Sequence, residues 1–300
     1  MESNPSDVLY WKLTEWALEE AKSGMDNRAK IEEERILSGE NVEIVHTQAL
    51  RDFEYIKQLI IGGVNFLRLK KIEFQGIAAD LGSGTGMGAT ILSKLPEIEK
   101  VFAIEYSEQF VLRIMPEVFI RFDADRGKIV RVVGDFNSLE IENNSLSLIL
   151  DVDSFHHSED LNISLKECNR VLKPGGVIIS VDRAWPDKYT RKELDEKLNV
   201  EFNDHVKKLY GIPEGQKFTR GDFGEHEYTI KEWVKHYQQN NFQVDVFSQI
   251  HPPALNSIFL KIPAFEFSIK LAAVLSKLGF AKHLIYGFNP TRKLFVAQKK

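Results

Sequence analysis

From residue 72 to residue 181, short β-rich runs alternate with helical ones, and this rhythm constrains the fold more than any other feature of the 300-residue sequence. Runs at 77–80, 101–105, 129–133, 146–152 and 177–181 predict strands. Helical stretches follow Gly86 and Ser107, and a third covers 161–172, where Leu161, Leu165, Cys168 and Leu172 make one apolar stripe. Strands and helices in alternation predict a parallel sheet with helices on both faces. Ligands of such sheets bind at the carboxyl ends of the strands, so the residues there are the candidates for chemistry.

The flanks read differently. Residues 1–71 read as an N-terminal helical extension or lid, because Leu9, Leu13, Trp16 and Ala17 recur at helical spacing, as do Leu50, Phe53, Ile56, Leu59 and Ile60. Gly24, Gly39 and Gly62-Gly63 punctuate it. Tyr10, Trp11 and Trp16 are either lid aromatics or, more commonly for such residues, core. Residues 72–300 read as one domain with insertions at about 184–228 and 251–289. Thr190-Arg-Lys-Glu193 and Thr229-Ile-Lys-Glu232 are capping boxes that open helices. Strands are expected at 242–247 and 293–297. Arg220-Gly-Asp-Phe-Gly-Glu-His226-Glu-Tyr228 reads as a solvated loop, or alternatively as a glycine-hinged flap over a substrate.

Composition narrows the function classes. With 43% hydrophobic and 28% charged residues, the chain is of the soluble globular type. Its one cysteine, Cys168, makes no internal disulfide and no Cys-built metal site. No secretory signal opens the sequence, and no run of about eighteen apolar residues spans a membrane, so a cytoplasmic chain is expected. The formal charge of −5 argues against a dedicated nucleic-acid binder. Residues 252–300 nevertheless carry eight basic side chains against Glu266 alone. There, 267–279 reads as an amphipathic helix with Phe267, Leu271, Val274, Leu275 and Leu278 on one face. That face is expected to pack on the domain or on a second copy in a homodimer, in preference to a membrane surface.

The chemistry-bearing motifs sit at the strand ends. Ala78-Ala-Asp-Leu-Gly-Ser-Gly-Thr-Gly-Met-Gly88 is a strand, a glycine-dense turn and a helix start, a design that brings backbone N–H groups close to a ligand. Alone it also fits a relaxed dinucleotide pattern, Gly84-Thr-Gly86-Met-Gly-Ala89 followed by Glu105, which leaves an NAD-dependent oxidoreductase open. A non-catalytic scaffold that keeps the fold is a second alternative. Downstream, Val101-Phe-Ala-Ile-Glu105-Tyr106, Val132-Val-Gly-Asp135-Phe136 and Leu172-Lys-Pro-Gly-Gly-Val-Ile-Ile179 follow in order.

This succession resembles the class I S-adenosylmethionine-dependent methyltransferases, in particular the ubiquinone/menaquinone-biosynthesis and small-molecule branches. The resemblance implies a Rossmann-like, doubly wound α/β sheet of seven strands with the last antiparallel, and methyl transfer from S-adenosyl-L-methionine to a small organic acceptor at O, N or C. It gives Asp80 and the turn Gly82, Ser83, Gly84, Thr85 and Gly86 to the methionine half of the cofactor. Glu105 would take the ribose hydroxyls, Tyr106 and Phe136 would flank the adenine, and Asp135 would accept from its amine. Asp135 in an Asx turn is the plain alternative. Asp151-Val-Asp153-Ser-Phe-His156-His157 resembles the family's paired histidines beside the transferable methyl. Asp151 joins the cofactor set there, and Asp153 or His156 is the candidate general base. Leu146-Ser147 departs from the family's Phe-Asp at the start of that strand, which bears on structure more than on catalysis. These side chains are too tightly spaced for a characteristic zinc set, so no metal is expected.

Overall fold

In the computed structural model, which describes residues 8–20, 42–250, 283–286 and 292–300, nine strands form one sheet. They are β1 (Val8–Tyr10), β2 (Gly76–Leu81), β3 (Ile98–Glu105), β4 (Ile129–Val133), β5 (Leu146–Val152), β6 (Leu172–Arg183), β7 (Phe242–Ile250), β8 (His283–Tyr286) and β9 (Arg292–Lys299). Their order is β1-β4-β3-β2-β5-β6-β9-β7-β8. Only β9 runs antiparallel, between β6 and β7. The doubly wound core with an antiparallel last strand is thus as expected from the sequence, and two short edge strands, β1 and β8, extend it.

Eight α-helices are described: α1 (Glu15–Glu20), α2 (Val42–Lys70), α3 (Met87–Ser93), α4 (Met115–Arg121), α5 (Leu161–Val171), α6 (Arg191–Leu198), α7 (Asp204–Leu209) and α8 (Ile230–Gln239). One apolar layer joins α2, α3 and α4 to one face of the sheet, and a second joins α5 and α8 to the other. With both faces covered, central strands carry apolar residues without alternation, and every residue of Leu146–Leu150, Ser147 included, is buried. The stripe of Leu161, Leu165 and Cys168 on α5 is fully buried, and Leu172 beyond it opens β6. Both capping boxes form at the starts of α6 and α8.

Two readings of the N-terminal region need correction. Val8–Tyr10 is a strand rather than helix, because its backbone pairs in parallel with β4, from Val8 opposite Arg131 to Tyr10 opposite Val133. Trp11 then turns inward over Gly134, Ala17 is fully buried, and Tyr10 stays exposed with its hydroxyl on Glu108. Trp11 is therefore core, while Tyr10 is not. Nor does Gly62-Gly63 break a helix. Helix α2 runs through it, and Gly63 brings its backbone so close to β6 that a Cβ would lie 3.0 Å from the Ile179 side chain. The expected helix at 267–279 lies outside the described residues.

The strand order reverses its winding between β2 and β5, which lie side by side. A crevice is expected at the carboxyl ends of such a pair. The glycine turn follows β2 there, and the 153–157 turn follows β5.

Candidate functional site

A cavity of about 500 Å³ opens at that point. Gly82, Gly84, Glu105, Tyr106 and Phe136 line it. So do Asp153, Ser154, His156 and His157 of the turn after β5, together with Arg183, Tyr210, Phe223, Glu225 and Arg292. The sheet thus brings together residues that are scattered over more than two hundred positions of sequence.

The glycine turn is held from beneath. Asp80 is buried, and its Oδ2 accepts from the Ser83 hydroxyl at 2.6 Å and the Ala89 N–H at 2.7 Å, tying the end of β2 to the first turn of α3. Burial pushes the Asp80 carboxyl up to about 7. Gly82 has φ +60°, and a Cβ there would sit 2.5 Å from Ser154, so only glycine lets the two turns meet. At Gly84 the nearest atom to a built Cβ is the Gly82 carbonyl at 4.0 Å, which leaves open space above the turn. Asp80, Ser83, Thr85 and Gly86 do not line the cavity; they shape the turn that does.

Gly88 gives a direct check on this packing. A Cβ at that position would meet Asp80 Oδ1 at 2.6 Å and Leu150 Cδ2 at 2.8 Å. Gly88→Ala is expected to cost about 1–3 kcal/mol by overpacking, read as a lower midpoint in denaturant unfolding. An unchanged midpoint would contradict the tight seat of α3 on β2.

Glu105 ends β3 with its side chain at the cavity wall and is almost fully buried. Its Oε2 accepts from Gly84 N–H and its Oε1 from Ser107 N–H, both at 3.0 Å, which fixes the carboxylate against the glycine turn. A carboxylate offers about four acceptor positions, so a vicinal diol fits this donor and acceptor set. Phe136 lies at the wall, packed edge-on to Phe155. Asp135 beside it points elsewhere: Oδ1 accepts from Asn137 N–H at 2.8 Å in an Asx turn, and Oδ2 accepts from the Thr14 hydroxyl. Residues 11–17 therefore lie across this edge of the site through Trp11, Thr14 and Ala17.

At the opposite end, Asp151 is fully buried and organises the turn after β5, accepting from Ser154 N–H, Phe155 N–H and the Ser180 hydroxyl. Burial, reinforced by Asp182, raises its carboxyl well above the usual range. It does not reach the cavity. Asp153 does, in the left-handed region at φ +55°, and both its oxygens are paired with Arg292 of β9. Burial raises Asp153 to about 6 against the pull of Arg292.

His156 Nδ1 lies 2.7 Å from Asp182 Oδ1, and its backbone N–H donates to Asp182 Oδ2 at 3.1 Å. Burial first, then the positive charge of Arg183, holds the His156 ring well below its ordinary pKa, so it is neutral near pH 7. His157 stacks edge-on to Phe223 at 5.2 Å and is likewise lowered by burial.

Residues 220–228, which the sequence leaves open as a solvated loop or alternatively a flap, pack against this end of the site. They are not a solvated loop. His226 N–H donates to the His156 carbonyl at 2.7 Å, and Glu225 bridges Arg183 at 2.7 Å and Arg220 at 2.6 Å. Glu227 is buried, accepting from the Trp185 indole. Asp182 and Arg183 were legible in principle, since they end a strand on the binding edge. Glu225 and Arg292 carry no such local signal. Donor atoms of His156, His157 and Glu225 lie within 4.8 Å of one another. Glu225, however, already carries two guanidiniums, so a cation there would meet two fixed positive charges, and the cluster suits a proton better than a metal.

Comparisons with known proteins identify what the chain is similar to. Residues 79–180 match the family described as "Methyltransferase domain". The chain is 27% identical over 183 residues to malonyl-[acyl-carrier protein] O-methyltransferase 1 of Coxiella burnetii, covering 61% of this chain and 57% of that protein. It is 33% identical over 110 residues to demethylmenaquinone methyltransferase of Staphylococcus aureus, covering 36% and 44%. The chain thus spans about half the length of the curated relatives it matches. Among solved structures, the YcgJ protein of Bacillus subtilis superposes with a TM-score of 0.51 at 17% identity, covering 80% of this chain and 98% of that one, a likeness of fold. Among the described residues, no helix is long and apolar enough to cross a membrane.

Proposed function

We infer that this chain, whose residues 79–180 are a class I S-adenosylmethionine-dependent methyltransferase domain, transfers a methyl group from S-adenosyl-L-methionine to a small organic acceptor. The observation that carries the reading is the single cavity that brings together a glycine cradle, the acid that ends β3 and the buried His156. Gly84, with Gly82 beside it at the wall, leaves room for the methionine half, Glu105 takes the ribose diol, and Tyr106 and Phe136 face the adenine. Asp80, Asp135 and Asp151 support this wall from behind instead of touching the ligand, since each is engaged with backbone or hydroxyl donors outside the cavity. When bound, S-adenosyl-L-methionine supplies an activated methyl carbon.

The part of the cavity lined by His156, Arg183, Tyr210 and Phe223 is the acceptor's place. Holding the acceptor in line at attack distance supplies much of the rate in such transfers, without a covalent intermediate. Of the two candidate bases, Asp153 is bound at both oxygens by Arg292, so His156 is the better proton acceptor. The dinucleotide reading loses support, because the glycine turn and Glu105 both lie within residues 79–180, which match a methyltransferase family.

Incubation of the chain with S-adenosyl-L-methionine labelled in the methyl group and a protein-free small-molecule extract tests the proposal. Label in a small organic product, dependent on the chain, is expected. A parallel incubation with whole-cell extract, in which label passes only to protein or nucleic acid while the small-molecule extract takes up none, would overturn the small-acceptor reading.

A further inference from the structure

We propose that Asp182 is a positioning residue that fixes the His156 ring with its proton on Nδ1, leaving Nε2 to take a proton from the methyl acceptor. The inference rests on the methyl-transfer reading and names a residue and a requirement that this reading does not. Asp182 is fully buried and His156 nearly so, and two contacts tie them, ring to Oδ1 at 2.7 Å and backbone N–H to Oδ2 at 3.1 Å. Oδ1 also accepts from Arg183 N–H. A carboxylate that accepts on both oxygens sets the ring's orientation as well as its tautomer. Because Nδ1 is committed to Asp182 and His156 lines the cavity, Nε2 is the ring nitrogen left for the acceptor.

The surroundings favour one mobile proton on this pair. Arg183 and Arg292 face both groups from β6 and β9, and Glu225 and His226 face His156 from the 220–228 segment. Asp151, Asp153, Glu227 and Tyr237 face Asp182 from β5, the turn after it, the same segment and α8. Burial raises Asp182 to about 7; a proton taken up there as pH falls lies between Oδ1 and Nδ1 and shifts the neutral ring's own proton onto Nε2. Nε2 then ceases to be an available base, and turnover falls on the acid side.

The step balances as follows. A lone pair of the acceptor atom forms the bond to the methyl carbon, and the carbon–sulfur bond breaks with its electron pair left on sulfur. The acceptor's proton passes to Nε2 of His156, from which solvent removes it. Nothing is oxidised or reduced. An acceptor served by this dyad therefore carries a proton on its reacting atom, as a hydroxyl or an acidic C–H does and a tertiary amine does not.

Nuclear magnetic resonance of the full chain with ¹⁵N-labelled histidine reads the tautomer directly, with His156→Gln identifying the signal. The expected wild-type result is a neutral ring protonated on Nδ1 at pH 8 and proton uptake near pH 7. Asp182→Asn should remove that uptake while S-adenosylhomocysteine affinity stays within about twofold, and should lower turnover roughly tenfold or more with little change in KM for the methyl donor. A wild-type ring protonated on Nε2, or an Asp182→Asn chain with the wild-type titration, would overturn the dyad. The tautomer is read in the wild-type chain, so a variant that fails to fold leaves the proposal open to refutation. Failure of the wild-type chain to bind S-adenosylhomocysteine would instead remove the methyl-transfer reading, whatever the tautomer.

Discussion

Replacing His156 with alanine is expected to cut methyl transfer about a hundredfold or more while leaving S-adenosylhomocysteine affinity nearly intact. The separation follows from position. On the proposed reading His156 serves the acceptor and lines the cavity beside Phe223 and Glu225, whereas Gly84 and Glu105 serve the cofactor. Removal of the imidazole leaves Asp182 buried without its ring partner and deletes the proposed base. The measurement is the initial rate of label transfer into small-molecule product, paired with calorimetry of the variant. Near-normal turnover in a folded variant would mean that alignment alone carries the reaction.

The second large effect concerns the ribose end. Glu105→Ala is expected to weaken S-adenosylhomocysteine binding by roughly ten- to a hundredfold, since a charged acceptor of a hydrogen-bonded hydroxyl is worth about 1.5–3 kcal/mol. Part of that loss comes through the glycine turn, because Gly84 N–H and Ser107 N–H both donate to this carboxylate. Glu105→Gln separates the two contributions. It keeps an acceptor and removes the charge, so its affinity should fall between those of the wild type and the alanine variant. Equal affinity in wild type and a folded Glu105→Ala chain would remove the ribose assignment.

What the sequence revealed tracks where each residue's environment is local. Strands covered on both faces read as apolar runs, and β5 was legible in this way from Leu146 to Val152. The short strand β1 was not, because its three residues become a strand only by pairing with β4 more than a hundred positions away. Their apolar spacing imitated a helix. The acids at strand ends were legible as a set, but not the direction in which each points. Glu105 faces the cavity, while Asp80 and Asp151 point beneath the turns they brace. Backbone geometry decides this, and both orientations read alike as an acid after a strand. The 220–228 segment looked solvated because of its charges. Those charges neutralise one another, Glu225 with Arg183 and Arg220, so the segment can lie buried against His156. Asp182 shows the same limit, since its partner His156 lies on another strand's turn.

Calorimetric titration of S-adenosylhomocysteine into the wild-type chain tests the central claim most directly, because it needs no acceptor and reports on the cavity as the fold builds it. One site per chain with affinity in the micromolar range or tighter is the predicted result. A folded chain that gives no binding heat with this ligand, or that binds NAD in its place, would contradict the account.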